Sequence, residues 1–340
     1  MNDGPSTVPP DAQTAAPRVL ISCVGENRPD WHRSMENLVL SVRHFGGSLA
    51  TSPFVVHVVD GADETFVDGM DRLDAEVRVV HAVDRRRPSS NKLRMLELAT
   101  ERDDFDVLLA LDCDVVVMGD LAAEVKADAL RAVPAGRDIT EPDTWERLYR
   151  ALGVAEPARD CVTTVSGQRT YPYFNSGVMF VPRGVCQPLL EHWRRHLDWL
   201  LGPGLAELGL TQLRKDQIPL AAALATAGLE IDPLPVNCNL SATASGFAGP
   251  YRGQWGPPFV LHYHKLIDDR GFLRPSPNTR INPLLDRFNR MRADTLGLSY
   301  AGIGSAPLRT RVSALLRDKP GYQSVRRALR KLPGAPRLAR

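Results

Sequence analysis

The chain has 340 residues, 43% hydrophobic and 24% charged, which is enough for one large α/β domain with appendages or two modest domains. A formal net charge of +2 gives no reason to expect nucleic acid as a partner. No apolar run approaches the roughly 20 residues of a membrane span, and five cysteines, odd in number and without CxxC spacing, point to a reducing, cytoplasmic compartment.

The first 17 residues lack a basic start and an apolar stretch, so they read as a disordered leader and not as a signal peptide. Val19 to Val24 is a short buried strand. Trp31, Met35, Leu38, Val42 and Phe45 fall at helical spacing, and Gly46-Gly47 stops that helix. Phe54 to Val59 and Val77 to Val83 are two further strands, and Asn91 to Thr100 is a helix. Val107 to Leu111 is a continuous apolar strand, as expected for a parallel sheet covered on both faces. This β-α-β-β-α-β order predicts an open, mostly parallel α/β sheet with flanking helices, which binds ligands outside the carboxyl ends of its strands. Beyond it lie a strand over Phe174 to Val181, helices over Leu189 to Leu201 and Asp216 to Ala227, and a strand over Phe259 to His264.

Two later segments are distinctive. Ser241 to Pro258 is a Gly- and Pro-rich loop carrying Phe247, Tyr251 and Trp255, and it is expected to cover a cleft, with Tyr251 or Trp255 in contact with what binds there. From Pro307 to Arg340 there are ten Arg or Lys and one acid, against an acidic remainder. Such a tail suits an anionic membrane surface, with the protein peripheral to it. The chain therefore divides into a leader (1–17), a catalytic domain (18–300) and a basic tail (301–340).

The sharpest chemical signal is Leu111-Asp112-Cys113-Asp114-Val115. Residues two apart in extended chain point the same way, so both carboxylates share one side just past a buried strand. Two like charges there repel unless a cation joins them. Hard oxygen ligands suit Mg²⁺ or Mn²⁺, with phosphate and water completing the shell.

That segment, with Gly119-Asp120-Leu121 behind it, resembles the "LDADxLVxGDL" segment of glycosyltransferase family 8, the lipopolysaccharide galactosyltransferase and glycogenin group. Four further segments resemble that family in the same order: Asn91-Lys92-Leu93-Arg94, Tyr173-Phe174-Asn175-Ser176-Gly177-Val178, Lys215-Asp216-Gln217, and Val260-Leu261-His262-Tyr263. The resemblance implies a GT-A fold and a metal-dependent, retaining transfer of a hexose from a nucleotide diphosphate sugar, UDP-glucose or UDP-galactose, to a saccharide or lipid-linked acceptor. It implies Asp112, Asp114 and His262 as ligands of Mn²⁺ (or Mg²⁺); His264, two residues on and facing the same way in an extended strand, is the substitute ligand. It also implies Lys92 at the phosphates, Asn175 and Ser176 at sugar hydroxyls, and Asp216 and Gln217 beside the reacting sugar. Cys23, Val24, Asn27 and Cys113 fall where donor contacts are expected. After its HY the family runs Gly-x-x-Lys-Pro-Trp, whereas this chain reads His264-Lys265-Leu266-Ile267-Asp268-Asp269-Arg270-Gly271. Lys265 or Arg270 is then expected at the diphosphate.

DxD after a buried strand also opens phosphatases of the haloacid dehalogenase type, where the first Asp is a nucleophile. There the motif begins the domain, whereas here it follows three strands. A sugar-nucleotide-binding domain without turnover is the other alternative.

Overall fold

The computed structural model describes residues 16–138, 140, 142–209, 217–244, 246–251, 253 and 256–305. Most of the expected leader and of the basic tail, together with Lys215, Asp216 and Trp255, lies outside the described residues.

Eight helices and twelve strands alternate along the described chain. The first half runs β1 (Val19–Glu26), α1 (Pro29–Phe45), β2 (Phe54–Val59), α2 (Glu64–Asp71), β3 (Glu76–Val80), α3 (Leu93–Thr100), β4 (Val107–Asp112) and β5 (Val115–Val117). It continues through β6 (Arg131–Pro134), α4 (Pro142–Leu152), β7 (Cys161–Val162), β8 (Arg169–Thr170), β9 (Phe174–Pro182) and α5 (Arg183–Leu201). The rest is α6 (Gly204–Glu207), α7 (Gln217–Ala227), β10 (Asp232–Pro233), β11 (Leu240–Ser241), β12 (Val260–His262) and α8 (Asn282–Leu296).

Seven strands form the central sheet in the order β10-β6-β9-β4-β1-β2-β3. The run β4-β1-β2-β3 is parallel, and β9 is antiparallel to both β4 and β6. The expected open, mostly parallel sheet is therefore present. Its central strands are apolar throughout because both faces are covered. Leu108 and Ala110 of β4 join one core with α3, α5 and α7, while Val107, Leu109 and Leu111 join the other with α1 and α2.

The expected strands and helices are present with shifted ends: β3 stops at Val80 instead of Val83, α5 begins at Arg183 instead of Leu189, and β12 spans Val260–His262 instead of Phe259 to His264. Several elements went unforeseen, notably α2, β5, β6 and α4. The signal for α2 was present: Asp63 caps it, accepting a 2.8 Å hydrogen bond from the Phe66 amide. Strand β5 has three residues, too few for any periodicity to register.

β5 leaves the main sheet and joins a second, three-stranded one in the order β11-β12-β5. Its antiparallel pairing sets His262 opposite Val115, Leu261 opposite Val116 and Val260 opposite Val117. This small sheet is buried on both sides. Val115, Val117 and Val260 face the α1 core, whereas Val116, Leu261 and Tyr263 face a third core closed by α8. α8 also fastens the segment that follows β12. Arg292 is almost wholly buried; it pairs with Glu36 of α1 at 2.6 Å and donates to Asn37 Oδ1 at 2.7 Å and to the Arg270 carbonyl at 3.3 Å. Gly271 must lack a side chain there, because its φ is +86° and a Cβ would lie 2.5 Å from the Arg292 guanidinium. No described helix is long and apolar enough to cross a membrane.

His57 is buried within β2, and among the described residues neither ring nitrogen has a hydrogen-bond partner. Burial, helped by the positive charge of Arg78, pushes its pKa down to about 4. The folded state thus resists a proton that the unfolded chain takes up near its ordinary pKa of about 6.5. This stabilising contribution is complete above the ordinary pKa and is lost as pH falls from there towards 4. His57→Leu is expected to abolish a loss of about 3 kcal/mol between those limits, measured by urea denaturation across that range. An unchanged pH slope in the variant would contradict this origin.

Candidate active site

Asp112 ends β4 and Asp114 precedes β5, so both stand in the turn where the chain passes from one sheet to the other. Tyr263 secures that turn from β12: its amide donates to the Asp114 carbonyl at 3.1 Å and its buried hydroxyl to the Cys113 carbonyl at 3.4 Å. The β5–β12 register then brings His262 to the carboxylates across nearly 150 residues of sequence. His262 Nε2 lies 3.0 Å from Asp114 Oδ1 and 4.0 Å from Asp112 Oδ2. His264 Nδ1 lies 3.9 Å from Asp114 Oδ2. Asp114, His262 and His264 present donor atoms within 4.8 Å of one another, a spacing suited to one divalent cation.

The electrostatics of the group demand positive charge. His262 Nδ1 lies 3.1 Å from Asn239 Oδ1 and donates to it, so the other ring nitrogen faces the carboxylates. Unprotonated, Nε2 and Asp114 Oδ1 are two acceptors pointed at each other, and only a second imidazole proton or a cation reconciles them. Burial opposes the imidazolium, but Asp114 and then Asp112 outweigh it, and the His262 pKa is raised above its ordinary value. Burial likewise opposes the Asp114 carboxylate, and His262, His264 and Lys92 together hold its pKa well below the usual carboxylate range.

Lys92 comes from the turn that opens α3 and is nearly buried. Its Nζ sits 2.6 Å from Asp112 Oδ1 and donates to Ser176 Oγ at 2.8 Å. Ser176 belongs to β9 where the β6 register jumps, between Ala132 and Val133, so β9 is locally freed from its neighbour. Gly177 follows. A Cβ on it would meet Asp112 Oδ2 at 2.9 Å, Asn175 Oδ1 at 3.0 Å and His262 Cε1 at 3.1 Å, so only glycine lets this strand approach the acids.

Around these groups opens a cleft of about 870 Å³ at the carboxyl ends of β1 and β4. Of the residues singled out from the sequence, Val24, Lys92, Asp112, Cys113, Asp114, Asn175, Ser176, Gln217, His262, His264 and Lys265 line it. Gln217 opens α7, and among the described residues its buried Oε1 has no hydrogen-bond partner.

Other expected contacts are not brought there. The Cys23 side chain is fully buried in the α1 core, because alternation along β1 turns it away from the face that Val24 presents. Asn27 is exposed beside Gly61 and outside the cleft lining. Arg270 is turned aside as well, donating to the Ser299 carbonyl at 2.7 Å and stacking over Phe272. Tyr251, expected over the cleft, donates to the Val162 carbonyl at 3.1 Å and lines a different cavity, with Phe174 and Leu224. Trp31, Arg33 and Ser34 on the first turns of α1, and Asn239 behind His262, escaped the sequence reading. The α1 residues are masked by the apolar periodicity of their helix, and a lone Asn in a loop carries no signal.

A family model described as the Rhodobacterales glycosyltransferase domain matches residues 37–228, more than half of the chain. The chain belongs to that family. The match takes in Lys92, Asp112, Asp114, Asn175, Ser176 and Gln217 and stops short of β12. A phosphatase reading of the DxD segment is thereby set aside. Comparison with curated proteins found no match. Among solved structures, the glycosyltransferase is similar to the galactosyltransferase LgtC in complex with donor and acceptor sugar analogs, at 17% identity over 86% of this chain and 99% of that one, with a TM-score of 0.45. It is also similar to the apo form of the glycosyltransferase GlyE from Streptococcus pneumoniae TIGR4, at 12% identity over 84% and 65% of the two chains, TM-score 0.48. Mouse xyloside xylosyltransferase 1 matches at 11% identity over 72% and 96%, TM-score 0.44.

The tight approach of Gly177 yields a test. Gly177→Ala in the glycosyltransferase is expected to displace Asp112 or His262, lowering stability by about 1–3 kcal/mol and activity more steeply than stability. Urea denaturation beside a transfer assay reads both, and an alanine variant with unchanged activity would show that this contact does not shape the site.

Proposed function

We propose that this glycosyltransferase uses a GT-A catalytic domain, residues 18–300, to move a hexose from UDP-glucose or UDP-galactose to a saccharide or lipid-linked acceptor with retention of anomeric configuration. The observation that carries the reading is the convergence of Asp112, Asp114, His262 and His264 on one point at the sheet's carboxyl edge. Two acids and one or two imidazoles form a mixed oxygen and nitrogen donor set that suits Mn²⁺ or Mg²⁺, the imidazoles favouring Mn²⁺. The Nε2 lone pair set against an Asp114 oxygen fits such an ion. Asp112, Asp114 and His262 would hold it, with His264 at the rim. Bound there, it supplies positive charge to the departing diphosphate.

The chain's own residues do the rest. The acceptor hydroxyl oxygen bonds to the sugar's anomeric carbon as the bond from that carbon to the diphosphate oxygen breaks. The bonding pair leaves with UDP, and the hydroxyl proton passes to the departing diphosphate. Lys92 holds Asp112 in place and adds positive charge near the phosphates. Asn175 and Ser176 offer hydrogen bonds to the sugar hydroxyls. Gln217 Oε1, buried and without a partner among the described residues, is suited to a donor on the sugar or to the positive charge that grows at its anomeric carbon. Asp216, assigned beside it, lies outside the described residues. The nucleoside lies against Val24 at the end of β1, and Asn27 is assigned to its exposed edge. All five cysteines are free, which fits a reducing, cytoplasmic setting. The basic tail, residues 301–340, is assigned to an anionic membrane surface.

Asp114→Asn and His262→Ala are each expected to lower Mn²⁺-dependent turnover of UDP-sugars by about 100-fold or more while the fold persists. Hydrolysis and transfer assays over a metal series, with circular dichroism as the control, decide it. Full activity in either variant, or in excess chelator, would remove the metal from the reaction. Tight UDP-sugar binding without turnover under any metal would favour a binding domain.

A further inference from the structure

The family motif that follows HY elsewhere is absent here, and of the two cations that stand in its segment, Arg270 is turned away onto Phe272 and the Ser299 carbonyl. Lys265 lines the cleft but is exposed. A diphosphate in this cleft carries more than one negative charge, and the segment after β12 sets no cation besides Lys265 at the cleft.

α1 does. Arg33 lines the same cleft as Asp114, His262 and Lys265, yet among the described residues its guanidinium has neither a hydrogen-bond nor an ion-pair partner. Its Nε is buried, and a buried donor left unpaired is costly. The neighbouring cations are engaged: Arg28 pairs with Asp30 at 2.8 Å and Lys92 with Asp112 at 2.6 Å. A guanidinium stays charged at any ordinary pH and presents a planar fork that matches two phosphate oxygens. The first turn of α1 also borders the cleft, but it carries Asp30, which Arg28 offsets, so the uncompensated positive charge on this helix is that of Arg33.

We propose that Arg33 is a donor-binding residue of this glycosyltransferase, holding the diphosphate of the nucleotide sugar from the α1 side of the cleft in place of the cation that the absent motif would supply. The assignment rests on the nucleotide-sugar reading above. It follows that Arg33 contributes to the diphosphate and little to the nucleoside. It also follows that Arg33 is a strain on the empty protein, not a support for it.

The test is isothermal titration of the full chain, in Mn²⁺, with UDP, UMP and uridine, for wild type, Arg33→Gln and Arg33→Lys. Arg33→Gln is expected to weaken UDP binding about 10- to 100-fold, with a much smaller effect on UMP and none on uridine. Arg33→Lys is expected to recover part of the loss, since it restores the charge without the fork. The melting temperature without nucleotide should be unchanged or raised in Arg33→Gln, because an unpaired buried donor is removed; a residue that merely supports α1 would show a fall. Equal UDP affinity in wild type and Arg33→Gln overturns the proposal. So does a variant that keeps UDP affinity but raises the acceptor KM, which would give Arg33 to an anionic acceptor. Wild type that binds no UDP would overturn the UDP-sugar reading together with the proposal. UDP binding by wild type with an indifferent variant overturns only the role of Arg33.

Discussion

The pairing of β5 with β12 is the constraint on which the site depends. β5 is three residues long and follows Asp114 directly; β12 ends at His262. Their antiparallel register sets His262 opposite Val115, and the Tyr263 amide bonds the Asp114 carbonyl. A slip of one residue would turn His262 into the third core and Leu261 towards the acids. The slip is resisted by burial on both sides of this small sheet, where Val116, Leu261 and Tyr263 are fully buried against α8. The hydrophobic effect thereby fixes a polar geometry: apolar neighbours decide which way the imidazole points.

Having been brought together, the polar groups create a need. Asp112, Asp114 and the unprotonated face of His262 all present acceptors to one another at short range. Lys92 meets Asp112, and between His262 Nε2 and Asp114 Oδ1 a proton or a cation reconciles the two acceptors. Repulsion that would destabilise an ordinary core becomes a binding site when positive charge arrives. Further around the cleft, Arg292 of α8 ties the Arg270–Gly271 backbone to Glu36 and Asn37 of α1. The wall after β12 is thus fastened to the helix that bears Arg33, so both walls are positioned by the same element.

Much of this was legible in the sequence, for a physical reason in each case. The strands of the parallel sheet are apolar runs because both faces are covered, and such runs are visible without a structure. The two acids stood out because charge directly after a buried strand is unusual. The turn into β5 was not legible, since a valine triplet after Asp114 reads equally as a continuation of the strand. Cys23 was placed at the ligand from its position at a strand end, but alternation assigns it to the core and Val24 to the cleft. Tyr251 was placed over the cleft from the aromatic spacing of its loop, and the loop instead turns it to the Val162 carbonyl. Arg33 was invisible: in a chain with 36 arginines one more on a helix says nothing until its lack of a partner among the described residues is seen in three dimensions.

Asp112, Asp114 and His262 are proposed to hold one divalent cation against a nucleotide diphosphate. The most direct measurement is an anomalous-scattering map at the manganese edge from crystals of the full chain grown with Mn²⁺ and UDP. A single strong peak is expected about 2.0–2.6 Å from an Asp114 carboxylate oxygen and from His262 Nε2, with the Asp112 carboxylate and the diphosphate completing its shell. UDP bound in the cleft with no manganese beside these residues, or manganese held at another place on the molecule, would contradict it.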